Sequence, residues 1–87
     1  MKQAVAGTVE SNDILIVISE NAAGNAIACD SIVKKQFGAA IEATIAAMLR
    51  SHNLRNVQVQ ATDKGALDCT IRARMETAIH RYKEQAA

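Results

Sequence analysis

The sequence contains no proline and no tryptophan, and Phe37 and Tyr82 are its only Phe, Tyr or Trp side chains. Any core built from it must be aliphatic, with alanine at the close contacts. The two cysteines, Cys29 and Cys69, do not form a CxxC pair, so the chain shows neither the spacing of a thiolate metal site nor that of a dithiol redox centre. Each reads as a small, free core residue. No apolar run approaches the roughly 18 residues of a membrane span, and the first residues lack a signal-peptide core, so a soluble, cytoplasmic protein is expected. Net charge is also scarce, at +1. Residues 1–32 carry one lysine against four acids, and residues 33–87 carry nine basic side chains against five acidic ones. Neither half has the dense basic patch with stacking aromatics that a nucleic-acid surface needs. Chemistry is equally thin. There is no Walker loop, no glycine-rich dinucleotide fingerprint, no metal-ligand cluster and no pair of carboxylates. His52 and His80 fall at the ends of two different predicted helices and form no recognisable triad with a serine. No catalytic residue and no metal ligand is expected.

What the chain does have is pattern. Its 87 residues make one domain, 1–87, of a size that buries about 60% of its unfolded surface. From Ala4 to Asp13 it reads A-V-A-G-T-V-E-S-N-D, a strand that alternates sides and then ends in the polar tip Glu10-Ser11-Asn12-Asp13. The most apolar run, Ile14 to Ile18, follows at once, so the tip reads as a hairpin turn. Ser, Asn and Asp suit turns because their side chains bond nearby backbone and Asn tolerates the left-handed region. Such a turn holds Ser11 out in water on a stiff base. An exposed turn serine is ordinarily just a turn former.

The run Ile14–Ile18 is apolar on both faces and so suits a central strand, with one face against helices and the other open to a partner. Ser19–Asn25 is a loop, and Ala26–Cys29 a third short strand, after which Asp30 or Ser31 is placed to cap a helix. That helix is predicted over Ile32–His52. Its core stripe is Val33, Phe37, Ile41, Ile45 and Leu49, with Ala40, Thr44 and Met48 filling in. Phe37 is the bulkiest member, and its truncation in a core would cost about 3–5 kcal/mol. Asn53 stops the helix. Val57 to Ala61 alternates as a half-exposed strand, Asp63-Lys64-Gly65 turns, and a second helix buries Leu67, Ile71, Met75, Ala78, Ile79 and Tyr82. Asp68 and Arg72 are spaced as an i,i+4 ion pair, and Arg74 extends past the apolar stripe. The order is β-β-β-α-β-α. It predicts an α+β two-layer sandwich of about four mainly antiparallel strands with two helices on one face.

Three stretches carry a resemblance. The first is A-V-A-G-T-V-E-S-N-D, the second S-I-V-K-K-Q-F-G-A-A-I from Ser31 to Ile41, and the third D-K-G-A-L-D-C-T-I-R-A-R from Asp63 to Arg74. In this order they resemble the acyl carrier (gamma) subunit of citrate lyase over nearly the whole chain. The resemblance implies that the serine of the E-S tip, Ser11, bears 2'-(5''-phosphoribosyl)-3'-dephospho-CoA through a phosphodiester bond. Some relatives have Gly after that serine where this chain has Asn12, and both residues can take a positive φ. It further implies a non-catalytic carrier whose arm ends in a thiol and bears acetyl and citryl thioesters. The partners it implies are the alpha (acyl-exchange) and beta (lyase) subunits, a prosthetic-group transferase and an acetate ligase that acetylates the arm. Glu10 and Asp13, flanking the attachment point, are expected to repel the polyanionic arm. Two alternatives stand beside this reading. One is the acyl carrier of malonate decarboxylase, and the other an unmodified regulatory or ligand-binding α+β module.

Overall fold

A computed structural model describes residues 2–85 of the chain. Four strands form one sheet in the order β1-β2-β4-β3. They are β1 (Gln3–Gly7), β2 (Ile14–Glu20), β3 (Ala26–Ser31) and β4 (Val57–Asp63). Period-two alternation decides which face is covered. Ala4 and Ala6, Ile14, Ile16 and Ile18, Cys29, and Val57, Val59 and Ala61 all point inward and are buried. The helices α1 (Lys34–Ser51) and α2 (Asp68–Glu84) close that face with Ile41, Ile45, Leu49, Ile71, Met75 and Ile79. On the open face Leu15 and Val17 of β2 are only half-buried. The expected two-layer α+β sandwich is present.

The sheet is mixed. β1–β2 and β2–β4 are antiparallel, and β3–β4 is parallel. The parallel pair follows from α1, because a helix inserted between two strands returns the chain to its starting end. Asn53 ends α1 with φ +53°, while Asn53 N–H donates to Arg50 O (3.1 Å) and Leu54 N–H to Leu49 O (3.0 Å). These are the paired bonds of a Schellman motif, and they bear out the predicted stop.

Three stripe residues assigned to the core are not in it: Phe37, Ala40 and Leu67. Phe37 is 54% exposed and Leu67 70% exposed. Helix α1 lies over the edge strand β3, and it is α2, not α1, that packs on β1 and β2 over Ile14–Ile18. The first turns of α1 therefore run clear of the central strands, leaving Phe37 and Ala40 outside although they share a stripe with Ile41 and Ile45. Leu67 precedes α2 as its N-cap, with φ −72° and ψ +156°, so the stripe of that helix begins only at Ile71. The cap expected at Asp30 or Ser31 is also displaced. Ser31 still belongs to β3, and its hydroxyl accepts the Val33 N–H at 3.0 Å, but α1 begins at Lys34 without a side-chain cap. Cys29 is buried, which pushes its thiol pKa up, whereas Cys69 is exposed on α2 and is no core residue.

Exposure changes what Phe37 is worth. Phe37→Ala should shift stability by only about 0.5 kcal/mol, not the several expected of a core ring. Thermal unfolding followed by circular dichroism checks this, and a large drop in Tm would place Phe37 back in the core.

Candidate functional site

The β1–β2 hairpin tip, the ends of β3 and β4 and the starts of both helices meet at one end of the molecule, as the strand registers require. Between Gly7 and Ile14 the chain turns through Glu10-Ser11-Asn12-Asp13. Asp13 N–H donates to Glu10 O at 3.1 Å, and Asn12 has φ +66°. A positive φ at the third position is the arrangement of a type II turn, and it explains why asparagine suits this place. The turn is also tied sideways. Asn12 N–H donates to Lys64 O and Lys64 N–H donates to Asp13 O, both at 2.8 Å, which prolongs the β2–β4 ladder beyond Ile14.

Asp13 fixes the base of the turn. Its carboxylate accepts a two-pronged pair from Arg74 of α2, Nε to Oδ1 at 3.0 Å and Nη2 to Oδ2 at 2.9 Å. Thr8 Oγ1 donates to the same carboxylate at 2.7 Å, as does the Ile14 N–H. The hydrogen bonds from Arg74, Thr8 and the Ile14 backbone hold the Asp13 carboxyl well below the usual carboxylate range. Two expectations change here. Arg74 does not simply extend past the stripe but clamps the hairpin to α2. Asp13 is compensated by that guanidinium, so it drops out of the proposed repulsion of the arm and leaves Glu10 alone. Asp68 and Arg72 do form the expected i,i+4 pair, at 2.8 Å.

The Asp13 clamp carries a pH dependence. A carboxylate whose folded pKa is depressed adds stability that is complete above its unfolded value, about 3.9. That stability is lost as pH falls through the folded value. Asp13→Asn should therefore cost about 1.5–3 kcal/mol near neutrality, the worth of hydrogen bonds to a charged group. The gap between wild type and variant should begin to narrow below about pH 4 and keep narrowing as pH falls toward the folded value. Urea titrations of both proteins from pH 7 to pH 2 measure it, and a gap that persists unchanged in acid would show that the clamp is not electrostatic.

The serines differ in availability. Ser31 Oγ donates to Asp63 Oδ2 at 2.7 Å, and Ser51 Oγ donates to Met48 O at 3.1 Å. Ser19 lies within β2, opposite Gln3 and Gln58. Ser11 is exposed, and among the described residues nothing hydrogen-bonds its hydroxyl. The histidines stand elsewhere. His52 follows α1 and packs edge-on against His80 near the end of α2, with ring centroids 6.1 Å apart. Ser11, at the opposite end, has no imidazole to activate it. Among the described residues no group of three or more His, Cys, Asp or Glu could hold a metal ion, and no helix is long and apolar enough to cross a membrane.

One further feature at this end was not visible in the sequence. An apolar groove of about 370 Å³ opens between the starts of the two helices, lined by Val33, Phe37, Ala40, Gly65, Leu67 and Ile71 among others. The clue was present as a contradiction: two stripe residues, Phe37 and Leu67, sit just where each helix begins.

The fold and this end together define a small α+β domain that presents an exposed serine hydroxyl on a fixed turn. Comparison with known proteins shows its family. The model of the malonate decarboxylase delta subunit (MdcD), an acyl carrier protein family, matches residues 1–82. The citrate lyase acyl carrier protein of Latilactobacillus sakei is 50% identical over 78 residues, covering 90% of this chain and 77% of that one. Its counterpart in Lactobacillus acidophilus is 51% identical over 81 residues, covering 93% and 84%. Among solved structures, a chain of a Pseudomonas malonate decarboxylase hetero-tetramer in complex with malonate superposes with a TM-score of 0.77. It shares 15% identity and the match covers 93% of this chain and 84% of that one, a likeness of fold. The chain belongs to the acyl carrier protein family that includes the citrate lyase acyl carrier proteins and the malonate decarboxylase delta subunit.

Proposed function

We propose that this protein is the acyl carrier subunit of a citrate lyase, that Ser11 is its attachment site, and that it is not itself catalytic. The observation that carries this reading is the free, exposed Ser11 hydroxyl on a turn fixed by the Lys64 backbone and by Arg74. The residues present suit a phosphodiester-linked arm. Ser11 offers an unengaged oxygen, and the Asn12 and Asp13 N–H groups beneath it are already bonded, so modification breaks no structural bond. The arm, 2'-(5''-phosphoribosyl)-3'-dephospho-CoA, supplies a terminal thiol that carries acyl groups as thioesters. The chain's own contribution is to hold the anchor still while the far end moves. Tethering then lets one substrate meet the acyl-exchange (alpha) and lyase (beta) subunits in turn at high local concentration. Identity near 50% to citrate lyase carriers favours citrate over malonate as the acyl source.

The test is transfer in vitro. Wild-type protein is incubated with a prosthetic-group transferase and the arm donor, and the mass gain is mapped by peptide. The gain should fall on the peptide containing Ser11. A gain at Ser19, Ser31 or Ser51 would overturn the assignment.

A further inference from the structure

The groove between the helix starts has no part in attaching an arm, yet it begins one residue from the anchor. A Cβ built on Gly65, on the groove wall, would lie 3.6 Å from Asn12 Oδ1. Its volume, about 370 Å³, is that of a small-molecule site, and its walls are almost wholly apolar. At its mouth Phe37, the chain's only phenylalanine, leaves more than half of its surface uncovered. An exposed aromatic beside an apolar slot is what a flat heterocycle stacks on. One rim acceptor is present as well. Asp68 takes one bond on each carboxylate oxygen, from Thr44 and Arg72, and keeps lone pairs open to solvent.

Resting on the reading of Ser11 as the anchor, we propose that this groove is a purine site that receives the adenine ring of the arm. In a 2'-linked dephospho-coenzyme A the base lies close to the serine, separated from it by two sugars and one phosphate. The acyl-bearing thiol lies at the far end. The groove is therefore placed for the base and not for the acyl group. Seating the base on Phe37 with its exocyclic amine toward Asp68 immobilises the proximal arm and leaves the pantetheine portion to sweep. A tethered base has an effective concentration in the millimolar range, so an intrinsic Kd of about 1 mM keeps the site occupied for about half of the time or more.

The experiment uses the bare carrier with free probes, and so does not depend on whether Ser11 is modified. Backbone amide spectra are recorded while 3'-dephospho-CoA, adenosine or pantetheine is added. The first two should produce saturable shifts at Phe37, Ala40, Gly65 and Leu67 with half-saturation on the order of 1 mM, and pantetheine should not. Phe37→Ala should weaken adenosine by at least about fivefold, the lower end of what losing one base–aromatic stack does, whereas Phe37→Tyr should retain binding. Absent groove shifts, pantetheine shifts as large as those of adenosine, or an unaffected Phe37→Ala would each overturn the proposal. Mapping the modified serine is a separate measurement, so failure of the groove and failure of the anchor are told apart.

Discussion

Gly7→Ala is expected to unfold much of the protein at room temperature. Gly7 ends β1 opposite Leu15 with φ +90°, a conformation that L side chains rarely adopt. A Cβ there would lie 1.8 Å from the Ile14 carbonyl oxygen and 3.0 Å from its carbon, both backbone atoms that cannot turn aside. Its 3.4 Å approach to Arg74 Cδ is ordinary contact, so the clash falls on the backbone alone. A backbone clash this close at a positive φ falls in the range above about 4 kcal/mol reserved for severe substitutions. Small domains have only some 5–15 kcal/mol in total. Gly24 is the control, because it too has a positive φ, +114°, but nothing lies within 4 Å of its would-be Cβ. Gly24→Ala should cost about 1 kcal/mol from backbone strain alone. Urea unfolding of both variants decides the matter. Equal, mild losses would mean that the β1 exit is not as tight as described.

Ser11→Ala should have the opposite profile, full stability with complete loss of function. The side chain is exposed and its hydroxyl bonds to nothing among the described residues, so unfolding should move by no more than about 0.5 kcal/mol. Activity of the assembled complex should nevertheless fall to background, because no other serine is both exposed and unengaged on a fixed turn. Ser11→Cys should fail as well. A stronger nucleophile does not restore an acceptor that a transferase must recognise as serine. A partial loss, or rescue by cysteine, would point to a catalytic serine instead, although His52 and His80 lie at the other end of the fold.

Local pattern made much of this legible. The alternation of Val57–Ala61, the apolar Ile14–Ile18 run and the turn chemistry of Glu10–Asp13 each declare a neighbour-to-neighbour geometry, and each stands where expected. Asn12 and Asn53 announce their positive φ by residue type. What sequence could not carry was reach. Arg74 lies 61 positions from Asp13, and nothing in the spacing of α2 tells that its guanidinium leaves the helix to hold a hairpin. The helical stripe through Phe37, Ile41 and Ile45 is regular, but where the sheet beneath it ends is a property of β3 and its pairing with β4. A stripe read by period alone therefore runs one turn too far, and the same error placed Leu67 inside. Those two misplaced residues are what revealed the groove.

The most direct measurement is the mass of the carrier isolated within its active complex from its own host, followed by peptide mapping. The account predicts a chain heavier than its sequence, with the whole excess on the peptide that contains Ser11 and attached through a phosphodiester. A fully active complex whose carrier has the mass of the bare chain, or bears the excess on any other residue, would contradict it.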